Sequence, residues 1–441
     1  MLDPITVGYV GIAILIALLA LGVHIGVALG LVGMVGTAFI VGFDASFYTS
    51  VGTFYHKIAS FDLVTIPLFI LMGYLASGGG VSKNVFESLN YWVGSFRGGL
   101  GISTVISCTA FGTVCGSSLV TASVFANMCA PEMRKHGYSK QIAYGICASA
   151  GMIGMLIPPS ILMVVYGVLA GESIGRLLIA GVVPGLLLMV VFSLAIIIIS
   201  YVRPAQIKQA KIAENVTWSR RIRSLTKVWQ VVLVALVIFG GIFGGVFNPT
   251  EAAAVASVVL MILLLVTRFR DFWRLFREAF LETGATTAMI FLVMGGAAIF
   301  SHFLVLTGIT NNLAEFIISL NLSKLTLVWV LVIFYGILGC FLDSISMLAI
   351  TIPLFIPIIT KMGIDPIWYA VIIVMAIEAG LITPPVGLNV YGAYAVAEKD
   401  VKLEDIFMGI APFFVMVWIA IAILIYLPRL STFLPSLMLG S

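Results

Sequence analysis

Long apolar stretches recur along the chain, with short polar segments between them. Ten of them are long enough to cross a membrane as helices: residues 5–23, 25–43, 61–79, 141–170, 176–202, 228–247, 251–267, 283–306, 366–397 and 406–427. Hydrophobic residues make up 61% of the chain and charged residues 10%. The pattern predicts an all-α polytopic membrane protein in which residues 1–441 form a single membrane domain.

Two further apolar stretches, 99–130 and 325–360, are too long for one crossing. Because their middles are rich in Gly and Ser, we predict that each is a re-entrant helical hairpin that turns inside the membrane. A pair of prolines interrupts the apolar stretch that follows each hairpin, Pro158-Pro159 in the first half and Pro384-Pro385 in the second. Adjacent prolines unwind a helix, and broken helices at matching places in two halves are typical of a transporter's binding site.

The two halves of the chain repeat. Gly112 matches Gly339, Pro158 matches Pro384 and Pro184 matches Pro412, at an offset that stays between 222 and 228 residues. We predict a first repeat over 5–202, a cytoplasmic loop over 203–227 and a second repeat over 228–430. Each repeat holds five crossings, an odd number, so the second repeat must be inverted relative to the first.

The distribution of positive charge predicts the orientation. If both ends of the first hairpin face the cytoplasm, 18 of the 23 Lys and Arg residues lie on the cytoplasmic side. The other five are Lys57, Arg176, Lys324, Lys361 and Arg429. By the positive-inside rule this asymmetry puts both termini on the side opposite the cytoplasm, and the hairpin tips can meet near the midplane.

Oxygen-bearing residues gather at the hairpin tips and at the proline breaks. Hydroxyls, freed carbonyls and helix C-termini are the groups that hold a cation such as Na⁺ in a transporter. The candidate ion- and substrate-binding residues are Gly116, Ser117, Ser118, Pro158 and Ser160 in the first half, and Asp343, Ser344, Ser346, Thr383, Pro385, Gly387 and Asn389 in the second. The side chains assigned to Na⁺ are Ser117, Ser118, Asp343, Ser344, Thr383 and Asn389. For any single serine the alternative is a hydrogen bond back to its own helix.

Two acidic residues lie in apolar segments, where a carboxylate is costly. Asp343 can ligate an ion or orient its hairpin tip by accepting backbone N–H bonds. Glu378 is either functional or a structural partner of a neighbouring helix. Glu251 follows Asn248-Pro249-Thr250 and is predicted to cap a helix. The five cysteines show no CxxC spacing and are predicted to be small buried hydrophobes.

No enzyme signature is present. The chain has no nucleotide-binding lysine loop, no HExxH and no GxSxG, and Asp343 has no second membrane-embedded aspartate to form a protease pair. We therefore expect neither an enzyme nor a nucleic-acid partner, and no cofactor other than Na⁺ as the coupling ion. A channel is disfavoured because two closed hairpins with inverted symmetry suit alternating access better than a continuous pore.

The motifs resemble those of the large, DctM-like membrane subunit of tripartite ATP-independent periplasmic (TRAP) transporters. The resemblance rests on residues 245–254, the Gly-Ser-Ser tip, and the segments 157–160, 342–344 and 383–389. It implies an elevator-type, Na⁺-coupled carrier in the bacterial inner membrane with both termini periplasmic. It also implies import of a small organic acid anion, such as a dicarboxylate, delivered by a periplasmic binding protein.

The resemblance further implies a small four-helix membrane subunit, expected here as a separate chain beside the membrane lipids. The related divalent-anion/Na⁺ symporters share the hairpin architecture and function without a binding protein. Such a stand-alone symporter is the alternative function. The tips here lack the Ser-Asn-Thr pattern associated with that group, which favours the TRAP subunit.

Overall fold

The computed structural model describes residues 3–207 and 217–438, and the described residues fold into helices joined by short loops. The first half contains α1 (Pro4–Ala20), α2 (Ile25–Val41), α3 (Phe43–Ile58), α4 (Thr65–Gly78), α5 (Val81–Val93), α6 (Gly99–Cys115), α7 (Ser118–Lys135), α8 (Lys140–Gly151), α9 (Ile161–Ala170), α10 (Ile174–Ala180) and α11 (Val182–Val202). The second half contains α12 (Trp218–Leu225), α13 (Trp229–Ala235), α14 (Gly241–Phe243), α15 (Pro249–Thr267), α16 (Phe272–Thr307), α17 (Ile309–Ser319), α18 (Lys324–Leu338), α19 (Ser344–Lys361), α20 (Pro366–Gly380), α21 (Leu388–Ala395), α22 (Leu403–Tyr426) and α23 (Arg429–Ser436).

Both predicted hairpins are helix–turn–helix units. The first consists of α6 and α7, which meet at Gly116 and Ser117. The second consists of α18 and α19, which are joined by residues 339–343. In the first turn Gly116 adopts a left-handed backbone with φ of +65° that favours glycine. Whether the two turns lie inside a membrane stays a prediction.

Both proline motifs break a helix, as predicted. The first break separates α8 from α9, with a 3₁₀ turn over Met152–Met155 before Pro158 and Pro159. The second separates α20, which ends at Gly380, from α21, which begins at Leu388. The peptide bond between the two prolines is cis in each motif.

By length and composition, six helices of the described chain can cross a membrane, or seven if the bent pair α12 and α13–α14 is one span. When the bent pair is counted, six of these seven spans are predicted crossings, and the seventh is α19, which the sequence places in the second hairpin. The other four predicted crossings are α1 and α2, each 17 residues long, and the two broken helices. Since 17 helical residues extend about 25 Å, α1 and α2 are at the short end of the range for helices that cross a membrane.

Three helical segments differ from the prediction. The predicted loop 203–227 contains α12, while residues 208–216 lie outside the described residues. The predicted crossing 283–306 is longer in the structure, because α16 begins at Phe272 and runs on for 36 residues without a proline. Helix α3 was not predicted; it buries small residues such as Ser46 and exposes Phe43 and Phe47. Such a helix has no continuous apolar stretch, so hydropathy alone does not find it.

Glycines set the closest helix crossings. A Cβ on Gly296 of α16 would lie 2.2 Å from the carbonyl oxygen of Gly26 in α2, and a Cβ on Gly409 of α22 would lie 1.8 Å from that of Gln141 in α8. Small residues at such crossings let membrane helices approach closely, which increases van der Waals contact. These contacts join the first half of the chain to the second.

Substitution of Gly409 by alanine is expected to destabilise the protein by about 1–3 kcal/mol, because the added methyl group overlaps backbone that cannot move aside. The matched control is Gly284→Ala, since a Cβ on Gly284 of α16 meets nothing within 4 Å. Thermal unfolding of both purified variants measures the difference. Equal melting temperatures would contradict the close packing of α8 on α22.

Candidate functional site

The tip of the first hairpin lies against the first break. A Cβ on Gly116 would lie 2.6 Å from the carbonyl oxygen of Pro159, so only glycine allows this approach. Ser117 is the N-cap of α7, and its Oγ accepts the backbone N–H of Val120 at 3.4 Å. The serine hydroxyl and the carbonyls of the broken helix are therefore close together.

The second half has the same arrangement. A Cβ on Gly339 would lie 2.8 Å from the Cα of Gly380, as one on Gly112 would lie 2.5 Å from the Cα of Gly154 in the first half. The backbone N–H of Val386, in the second break, donates to the carbonyl of Cys340 at 3.3 Å. Each hairpin tip thus packs on the break of its own half.

Several predicted hydroxyls bond to nearby groups of their own segment. The Oγ1 of Thr383 donates to the carbonyl of Ala379 at 2.6 Å, and the Oγ of Ser160 donates to the carbonyl of Met155. This is the back-bonding considered above as the alternative for single hydroxyls. It does not exclude a ligand role, because a hydroxyl that donates its proton keeps lone pairs for a cation.

Asp343 caps α19. Its Oδ1 accepts the backbone N–H of Ile345 at 3.1 Å and of Ser346 at 3.0 Å, and its Oδ2 accepts the hydroxyl of Ser346. The side chain is otherwise exposed. The capping role is therefore present in the structure, and the ion role stays a prediction.

Glu378 connects the two halves of the site. It is 0% exposed, its Oε1 accepts the hydroxyl of Ser118 at 3.2 Å, and its Oε2 accepts the side-chain amide of Asn389 at 3.4 Å. The sequence left the role of this acid open. No sequence feature indicated its partner Ser118, which lies 260 positions away on the tip of the first hairpin.

Two cavities border the hairpin tips. One of about 320 Å³ is lined by Asp343 and Ser346 of the second tip, by His24 and by Met289 of α16. A smaller one of about 50 Å³ is lined by Ser117 of the first tip and by α4 and α16 residues that include Thr286. Because Thr286 and Met289 lie one turn apart, α16 passes both tips.

A cluster of charges holds the other end of the first hairpin to the second half. Arg134, near the end of α7, donates to Asp400 at 2.6 Å and also to Glu398, both in the loop after α21. Lys140 pairs with Asp405 at 2.6 Å. The hydrogen bond from the Arg134 guanidinium holds the pKa of the Asp400 carboxyl below its ordinary value. The first hairpin is thus attached to the second half at its tip and at its base.

Other expectations are confirmed. Asn248 and Glu251 form the predicted cap of α15, in which the Glu251 carboxylate accepts the backbone N–H of Asn248 at 2.9 Å. All five cysteines are buried and form no disulfide. The cap of α15 therefore belongs to the packing of the fold, as do Cys108, Cys129 and Cys147.

Known proteins resemble the chain over most of its length. A family model described as the tripartite ATP-independent periplasmic transporter, DctM component, matches residues 12–430. The C4-dicarboxylate TRAP transporter large permease protein DctM of Pseudomonas aeruginosa is 35% identical over 378 residues, which cover 85% of this chain and 86% of that protein. The isethionate TRAP transporter permease protein DctMQ of Oleidesulfovibrio alaskensis is 28% identical over 439 residues, covering 98% of this chain and 66% of that protein.

Among solved structures, the YdaH transporter of Alcanivorax borkumensis superimposes with a TM-score of 0.62 at 16% sequence identity, over 88% of both chains. At this identity the match supports the fold alone. The residues matched by the family model span both hairpins, both breaks and Glu378. This chain, a multi-pass helical membrane protein and not an enzyme, belongs to the DctM family, the large permease component of the TRAP transporters.

Proposed function

We propose that this chain is the membrane-embedded subunit of a Na⁺-coupled secondary transporter that imports a small organic acid anion. The observation that carries the proposal is the contact between a hairpin tip and a broken helix in each half, Gly116 against Pro159 and Cys340 against Val386. A broken helix frees carbonyl oxygens, and a tip supplies hydroxyls, so each contact offers ligands for Na⁺.

One Na⁺ is assigned to each contact. In the first half the ligands are Ser117 and Ser118 with backbone oxygens of residues 158–160. In the second half they are Asp343, Ser344, Thr383 and Asn389, with backbone oxygens near Pro385 and Gly387. The amide oxygen of Asn389 supports this assignment, because it is buried and has no hydrogen-bond partner among the described residues.

The transport mechanism in this proposal is an elevator in which the two repeats are inverted, with ten crossings and two hairpins that enter from opposite sides. The first hairpin and the helices α20–α22 move as one body, since Glu378 joins them at the tip and Arg134 at the base. The fixed scaffold includes α16, which borders both tip cavities. Movement of the tips past α16 exposes the site to each side in turn.

Two partners complete the proposed transporter: a periplasmic binding protein that delivers the substrate, and a small four-helix membrane subunit as a separate chain. The family description names a tripartite system. This chain covers 66% of the DctMQ relative, and the remainder of that protein is long enough for a second component. The relatives named above are described as C4-dicarboxylate and isethionate permeases, which supports an organic acid anion as substrate here. In this proposal both termini lie in the periplasm.

Reconstitution into proteoliposomes tests the proposal. Uptake of a labelled C4-dicarboxylate or sulfonate is expected only with the permease, the small subunit and the binding protein together, and only with an inward Na⁺ gradient. Replacement of Na⁺ by K⁺ is the matched control. Equal uptake in K⁺ would contradict Na⁺ coupling, and Na⁺-dependent uptake by the permease alone would indicate the stand-alone symporter.

A further inference from the structure

We propose that an arginine patch around α12 binds the headgroup of an anionic phospholipid, and that the bound lipid holds α12 on α5 at the base of the first hairpin. The patch consists of Arg220, Arg221 and Arg223 of α12, together with Arg97, which lies five residues after the α5 residue Trp92 that contacts α12. The inference depends on the membrane placement of the neighbouring helices α11 and α13, and it is independent of Na⁺ coupling and of the transported substrate.

Among the residues that the structure describes, the arginines of the patch have no carboxylate partner. Within residues 3–207 and 217–438, none of the four forms an ion pair, and the Nε atoms of Arg97 and Arg221 are buried without a hydrogen-bond acceptor. Other basic residues nearby differ, since Lys227 pairs with Glu87 at 3.0 Å. Unpaired guanidinium groups are the usual ligands of phosphate, which they bind through two parallel N–H bonds.

Aromatic rings lie against three of the four guanidinium groups. Arg97 lies 4.7 Å from the ring centre of Tyr201, Arg220 lies 5.5 Å from that of Tyr91, and Arg221 lies 5.3 Å from that of Trp218. Cation–π contacts of this kind fix the orientation of arginines whose charge remains available to an anion.

Helix α12 combines exposed apolar side chains with arginines, as helices that lie in the membrane interface do. The side chains of Trp218, Ile222 and Leu225 on α12 are exposed next to the arginines, as is Tyr201 at the end of α11. The axis of α12 turns by 45° from the apolar helix that follows it. Exposed apolar side chains bind at the boundary between headgroups and acyl chains, and clustered arginines bind anionic headgroups. An anionic phospholipid offers both surfaces, whereas a soluble polyanion offers only the negative charge.

The patch contacts the helix that leads into the first hairpin. Ser88 of α5 donates a hydrogen bond to Ser224 of α12 at 3.1 Å, and the rings of Trp92 and Trp218 meet edge to face at 6.0 Å. The end of α5 is joined to α6 only by the short segment 94–98. A headgroup bound to α12 therefore stabilises the packing at the start of the hairpin.

The test compares the full chain in nanodiscs of phosphatidylcholine with discs that also contain phosphatidylglycerol, by thermal unfolding and by native mass spectrometry. Phosphatidylglycerol is expected to raise the melting temperature of the wild type. In Arg220→Gln/Arg221→Gln/Arg223→Gln the apparent lipid affinity should fall by about tenfold or more, and most of the rise should disappear. The matched control is Arg274→Gln, because Arg274 already pairs with Asp271 and Glu278 and its loss should leave the lipid effect unchanged.

Three results would overturn the proposal. The first is an equal gain from phosphatidylglycerol in the triple variant and the wild type. The second is the same stabilisation by inorganic phosphate alone, which would indicate a simple anion site. The third is loss of small-subunit binding in the triple variant without any lipid effect, which would make the patch a protein interface. Should the triple variant not fold, the single variants Arg221→Gln and Arg274→Gln give the same comparison.

Discussion

Replacement of Glu378 by alanine is expected to abolish transport and to lower the free energy of unfolding by about 2–5 kcal/mol. The carboxylate is fully buried and accepts hydrogen bonds from Ser118 and Asn389. Alanine leaves both donors buried without an acceptor and removes the link between the first hairpin and the second break. Thermal unfolding and proteoliposome uptake measure the two effects.

The variant Glu378→Gln separates hydrogen bonding from charge. Its amide oxygen can accept the hydroxyl of Ser118, and its amide N–H can donate to the oxygen of Asn389 once the Asn389 side-chain amide turns over, so the stability should stay close to the wild-type value. The control is Glu251→Ala, which removes only an exposed helix cap and should leave transport intact. A Glu378→Ala protein that is as stable and active as the wild type would refute the linking role.

Replacement of Asp343 by asparagine is expected to reduce transport at least about tenfold while the protein remains folded. Asparagine caps a helix nearly as well as aspartate but lacks the charge that would support Na⁺. The backbone bonds to Ile345 and Ser346 should therefore persist. Uptake at several Na⁺ concentrations, together with assembly with the small subunit, measures the change.

The matched control is Asp365→Asn. Asp365 caps α20 with the same geometry, and its Oδ1 accepts the N–H groups of Ile367 at 2.8 Å and Trp368 at 3.1 Å. It lies outside the candidate site, so transport should remain near normal. If Asp343→Asn also keeps wild-type uptake and Na⁺ affinity, Asp343 is a helix cap and not part of an ion site.

Local chemistry made much of the fold predictable. Double prolines and glycine-rich turns act on their own segment of backbone, so Pro158-Pro159 and the turn at Gly116 appear in the sequence as they do in the structure. The pairing of each tip with its break followed from the matched spacing of the two halves. The bonds from Asp343 to the start of its own helix are also local, and the sequence offered this capping role as an alternative to ion binding.

Contacts between distant segments were not predictable. The bond from Ser118 to Glu378 and the pair Arg134–Asp400 each join residues more than 200 positions apart, and nothing in the sequence selects these partners among the chain's other polar groups. The surface helices α3 and α12 were missed because they are short or amphipathic, and tertiary packing stabilises them more than their composition does.

The central claim is that each tip and break forms a Na⁺ site, and the Na⁺ concentration for half-maximal uptake tests it most directly. Ser117→Ala and Ser344→Ala are each expected to raise this concentration by about tenfold, since each removes one ligand oxygen of a charged ion, while the purified complex stays intact. Ser193→Ala is the control, because the Ser193 hydroxyl bonds to the Met189 carbonyl of its own helix and lies outside the candidate site. If the Na⁺ concentration for half-maximal uptake is the same as in the wild type for both tip variants, the tips are not Na⁺ sites.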